Sequence, residues 1–82
     1  MSDKSSPGES RTAADWIAAF ADELGVEAPD QATIDTLLDL AGVAAHSSER
    51  VAAPIACYLL GVAGVPAGDG MTIANRVAEA GR

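Results

Sequence analysis

The stretch LLDLAGVAAHSSERVAAPIACYLLGVAG, residues 37–64, decides the fold. Two apolar runs flank a polar knot, His46-Ser47-Ser48-Glu49-Arg50, and Pro54 follows four residues later. The chain's one histidine and its one basic residue between positions 12 and 75 both sit in that knot. A polar knot between two apolar runs of helical length marks the junction of two packed helices. It is also the one place where specific polar recognition is concentrated.

Working outward, Asp30 caps a helix predicted over 31–49. At 100° per residue, Ile34, Leu37, Leu38, Ala41, Ala44, Ala45 and Ser48 share one arc of about 120°. Asp35, Asp39, Gly42, His46, Glu49 and Arg50 share the opposite arc. The next helix is predicted over 54–64, because proline suits a first turn and biases Ala53 away from helix. From Ile55 to Val65 the sequence is apolar nearly all round, so this third helix is expected to be the most buried. Cys57, Gly61 and Gly64 give it a smooth face for a close neighbour. An alternative ends helix two early and caps helix three at Ser47 or Ser48, with Pro54 as an interior kink.

Upstream, Thr12 is a good N-cap and Asp15 completes an approximate capping box. Trp16, Ile17, Phe20 and Leu24 recur at helical spacing, so a helix over 12–24 is expected to place them in the core. Gly25 ends it as a left-handed residue. Downstream, Val65 to Gly70 reads as a loop by its turn residues. A last helix is predicted over 72–80, with Ile73, Ala74, Val77 and Ala78 inward. Residues 1–11 are rich in Ser, Pro, Gly and charge, a disordered tail by composition. The expectation is an all-α fold: a compact bundle of four helices forming one domain, 12–82, behind that tail.

Eighty-two residues allow one domain at most. A chain this short buries only about 60% of its unfolded surface, and much of its apolar content is alanine. Stability should therefore be modest, and a partner surface can add to it. Twelve acids against five bases give a net charge of −7. Such a surface repels nucleic-acid phosphates and anionic headgroups and suits a basic protein partner; it also suits a merely solvated face. Cys57 is the only cysteine, which excludes an internal disulfide. It sits in an apolar run with no cation within four residues, so it is expected to pack as a small hydrophobe. Met1 to Ser10 lacks the apolar core of a signal peptide, and no apolar run reaches the roughly 20 residues that span a bilayer. The expected compartment is the cytoplasm, with no membrane and no nucleic acid among the partners.

The candidate binding residues are Asp39, His46, Glu49 and Arg50. Helical spacing i, i+3, i+4 puts the last three on one face with Asp39. Two readings stand. In one, the knot is local structure, with Arg50 pairing an acid or the terminal carbonyls. In the other it is a recognition patch, where the five-donor fork of Arg50 suits a carboxylate or phosphate and His46 adds a pH-sensitive bond. Asp39 and His46 lie two turns apart, too far to share an ion without a further element, so no metal site is expected. His46 and Ser47 are adjacent and point about 100° apart, which is no catalytic dyad. There is no nucleophile elbow, no phosphate-binding glycine loop and no Asp-Ser-Leu carrier site. No catalytic residue and no cofactor are expected.

The run from Trp16 to Gly64 resembles a small helical bacterial domain family of unknown function. The residues that carry the resemblance are Trp16, Phe20, Leu24-Gly25-Val26, Ile34-Asp35, Leu37 to Ala41, Ala44 to His46, Glu49-Arg50, Ala52 to Pro54 and Tyr58 to Ala63. The AAHSSERVAAP segment is its most specific part. Such domains occur alone and fused to molybdenum-cofactor guanylyltransferases, or near molybdoenzyme maturation genes. The resemblance implies a non-catalytic accessory subunit or adapter of a molybdopterin-dependent redox enzyme of formate dehydrogenase type, or of its cofactor maturation machinery. The implied partner is a molybdoenzyme subunit or a cofactor-maturation protein. The guanylyltransferase domain is absent, so its activity does not transfer. The alternative is a protein that handles a small anionic ligand or cofactor, held by Arg50 and His46 near the start of helix three.

Overall fold

A computed structural model describes residues 12–81, and the expected tail over 1–11 lies outside them. Four helices follow one another: α1 (Ala13–Leu24), α2 (Gln31–Ser47), α3 (Ala52–Ala63) and α4 (Ala67–Ala80). There is no strand among the described residues. The all-α bundle of four helices expected from the sequence is the fold.

Local chemistry sets most of the helix ends. The Thr12 hydroxyl accepts from the Asp15 N–H at 3.1 Å, and the Asp30 carboxylate accepts from the Thr33 N–H at 2.8 Å. Each satisfies one of the donors that a helix start leaves unpaired. At the other end, Gly25 and Gly64 take left-handed conformations, φ 77° and 70°, that stop α1 and α3. Gly64 is thus a terminator, one residue past the helix, and not part of a smooth face. A Cβ on Gly61 or on Gly64 would meet nothing within 4 Å, so neither glycine mediates the close approach expected of it.

The junction is shorter on one side and longer on the other than the spacing predicts. The hydroxyls of Ser47 and Ser48 donate back to the carbonyls of Val43 and Ala44 at 2.6 and 2.7 Å. These side-chain bonds occupy carbonyls near the helix end, and α2 stops at Ser47 rather than at Glu49. The Ala52 and Ala53 N–H groups then donate to the carbonyls of Glu49 and Arg50, three residues back. Those tight turns carry the chain into α3 two residues before Pro54. Pro54 falls within the first turn, where its missing N–H is not needed, and Ala53 is helical despite preceding it. The alternative cap at Ser47 or Ser48 is not used.

The packing centres on α2, not α3. α2 lies against α3 on one side and α4 on the other. Leu40 is its most buried side chain, 3% exposed. Among the described residues the one other buried apolar side chain is Ala21 of α1. No residue of α3 is buried, which corrects the expectation that this helix is the core. Cys57, expected inside, is half-buried. The core is also rotated from the predicted arc: Leu38, assigned inward, is 65% exposed, while Leu40 was outside the arc.

α4 begins at Ala67, inside what reads as a loop. Pro66 is its N-cap, and the Gly70 N–H makes an early helical bond to the Pro66 carbonyl at 2.9 Å. Gly68 and Gly70 are therefore helical glycines rather than turn residues. Gly70 is there for proximity. A Cβ on it would stand 2.6 Å from Leu60 Cδ1 and 3.2 Å from Leu40 Cδ1. The missing side chain lets α4 seat against α2 and α3 at once, at a helix-propensity cost of about 1 kcal/mol.

Candidate binding surfaces

Three surfaces offer themselves for binding. The first is an open cleft of ≈ 750 Å³ between α2 and α4. Asp39 and His46, seven residues apart on one face of α2, both line it. Asn75 and Met71 face them from α4, with Leu38 and Val43 beside them. An acid, an imidazole and an amide in a partly apolar cleft can orient a polar group by hydrogen bonds.

Glu49 and Arg50 do not join them. Both follow the end of α2, exposed in the turn, and neither lines the cleft. The i, i+3, i+4 spacing that placed them beside His46 holds only while the helix continues, and it ends at Ser47. The structure therefore brings together two of the four candidate residues and separates the other two. Asn75 and Met71 were missed because they sit on α4. Only the pairing of α2 with α4 reveals them, and one sequence carries no signal for that pairing. Among the described residues no group of three His, Cys, Asp or Glu side chains could hold a metal ion.

The second surface is on α1. Its covered stripe is Ala21 and half-buried Ile17. Trp16 and Phe20, expected in the core, stand beside that stripe at 54% and 52% exposure. Their rings stack, with centroids 5.0 Å apart and planes inclined by 27°. Leu24 continues the apolar row and is also exposed. The acids of this helix, Asp15, Asp22 and Glu23, are exposed as well. The helical spacing is as expected, but spacing shows only that one face is apolar and not that the chain itself covers it.

The third surface is a groove of ≈ 560 Å³ bounded by α2, α3 and α4. Leu40 and Leu60 lie in its floor, and Ile55, Leu59, Ile73 and Val77 in its walls. Its only hydroxyl-bearing lining residues are Ser47 and Ser48, whose hydroxyls are already bonded to α2. Such a lining accepts apolar side chains and offers little to a charged ligand. Among the described residues no helix is long and apolar enough to cross a membrane.

Neither the curated proteins nor the solved structures contain a match to this chain. In keeping with the resemblance carried by its residues, the chain belongs to the family described as Domain of unknown function (DUF6457), whose model matches residues 8–82.

Proposed function

We propose that the chain is a non-catalytic binding module: an accessory subunit or adapter of a molybdopterin-dependent redox enzyme of formate dehydrogenase type, or of its cofactor maturation machinery. The binding half of this reading rests on one observation, the exposed and stacked Trp16–Phe20 pair on α1. Aromatic side chains are enriched at interface centres, where they bury large areas with little loss of rotamer freedom. Here they share a helix with Asp15, Asp22 and Glu23 and with no basic residue. The complementary partner has an apolar socket with a basic rim, and the acids favour its approach over that of an acidic protein. The molybdoenzyme half rests on the resemblance of the AAHSSERVAAP segment and its flanks. The reading assigns no reaction and no cofactor to the chain itself.

The test is affinity capture from the native cytoplasm with the full chain as bait, beside a Trp16→Ala, Phe20→Ala bait. The expected result is recovery of a molybdoenzyme subunit or cofactor-handling protein, weakened at raised salt. The double variant should bind that partner at least ~30-fold more weakly, the consequence of losing about 2 kcal/mol from an aromatic anchor. Recovery of unrelated proteins alone removes the molybdoenzyme assignment. Equal recovery by both baits removes the α1 ridge as the binding surface.

A further inference from the structure

α3 leaves a surface uncovered that the α1 ridge does not explain. By helical spacing, Val51, Tyr58 and Val62 form a row on its outer side, and Ile55 and Leu59 form the next row, one wall of the groove. Ile73 and Val77 of α4 form the opposite wall. All seven side chains are between 42% and 70% exposed. We infer that this face is the contact between two copies of the chain, related by a two-fold axis. In it, the Val51–Tyr58–Val62 ridge of each copy sits in the α3–α4 groove of the other.

Three observations select a second copy as the occupant. First, ridge and groove wall are neighbouring rows of one helix, and an isologous contact needs such a self-complementary patch. Second, α3 carries no charged residue from Ala52 to Ala63, whereas every other helix carries acids. Two copies of a chain with net charge −7 repel one another through acidic faces; α3 brings no carboxylate to the contact, and α4 joins it through Ile73 and Val77 rather than through Asp69 or Glu79. Third, the area suffices. The seven side chains together offer on the order of 800 Å² per copy, the share one partner contributes to an interface of standard size. The same contact resolves the anomaly of α3: a helix apolar all round is normally a buried one, yet in a single copy none of its residues is buried.

Sedimentation equilibrium of the full chain tests this directly. The expected mass is twice 8.2 kDa, falling toward 8.2 kDa on dilution. Tyr58→Asp and, separately, Val62→Glu should each shift the midpoint to at least ~30-fold higher concentration, whereas Trp16→Ala should leave it unchanged. Both charged substitutions fall at exposed positions, and circular dichroism reports whether the helices survive. Should either variant lose them, hydrogen exchange on the unmodified chain decides the matter: residues 51–63 should gain protection at high concentration and α1 should not. A chain that stays at 8.2 kDa up to about 100 μM overturns the inference, since an interface of standard size is populated well below that. So does a dimer that Trp16→Ala dissociates and the α3 variants do not, which would place the contact on α1.

Discussion

α3 and α4 lean on the same central helix and do so by opposite means. α3 brings an unbroken apolar surface with no charge, yet every one of its large side chains keeps half or more of its surface exposed except Leu60. α4 is the more polar helix, with Asp69, Asn75, Arg76 and Glu79, yet it makes the tightest seat, because Gly70 admits Leu60 and Leu40 to its backbone. The difference separates two properties that a hydropathy pattern merges. Apolar content says how much surface must leave water. Backbone proximity says which surface does so within one chain.

The largest expected effect tests where that seat is. Leu40 is 3% exposed and meets both partner helices' contacts near Gly70, whereas Leu38 is two residues away and open to water. Leu40→Ala should destabilise the fold by about 3 kcal/mol, through lost burial and an unfilled cavity. Leu38→Ala should stay within about 0.5 kcal/mol. Urea denaturation of both variants gives the comparison. Equal losses would mean that α2 is rotated from the orientation described, with the predicted arc as its true inner face.

That contrast also shows how much was legible beforehand. The ends of α1 and the start of α2 were, because Thr12, Gly25 and Asp30 act on backbone groups within a few residues. The start of α4 was not, because Gly68 and Gly70 carry the same local signature in a turn and in a close helix contact. The rotation of α2 was not either: with neighbours on two sides it has no single inner arc for a pattern to reveal. Of the candidate site, Asp39 and His46 were legible as two points on one face. Glu49 and Arg50 were assigned to that face because the serine hydroxyls that end α2 leave no periodic trace. Asn75 and Met71 required knowledge of which helix lies opposite.

The second effect, smaller, tests the seat from the other side. Gly70→Val places atoms where Leu60 Cδ1 would be 2.6 Å from the new Cβ. The leucine ends can swing aside, so the expected loss is about 2 kcal/mol, the usual range for overpacking, offset in part by leaving glycine behind. Gly61→Val, on open space in α3, should cost nothing, and the same urea series checks it as a control. A neutral Gly70→Val would show that α4 does not need the close approach and that its glycines have another reason to be there.

The smallest effect belongs to the start of α2 and leaves the seat itself untouched. Hydrogen bonds from Thr33, its hydroxyl first and then its backbone N–H, hold the Asp30 carboxyl below its ordinary value of 3.8. A folded-state value lower than the unfolded one means the ionised carboxylate is the form that stabilises the helix start. The contribution is therefore fully present above pH 3.8 and is lost as pH falls through the depressed folded value. Asp30→Asn separates this from the chain's other carboxylates. Asparagine caps a helix about as well as aspartate does but cannot titrate in this range. Melting points of the two proteins should differ by a small amount in favour of aspartate near neutral pH, where its charge also suits a helix N-terminus. The gap should close as pH falls below 3.8 through the depressed folded value, while the acid destabilisation common to both cancels. A gap independent of pH would assign the cap's effect to its shape alone. A gap that widens in acid would contradict the sign of the shift and place the Thr33 bonds on the protonated form.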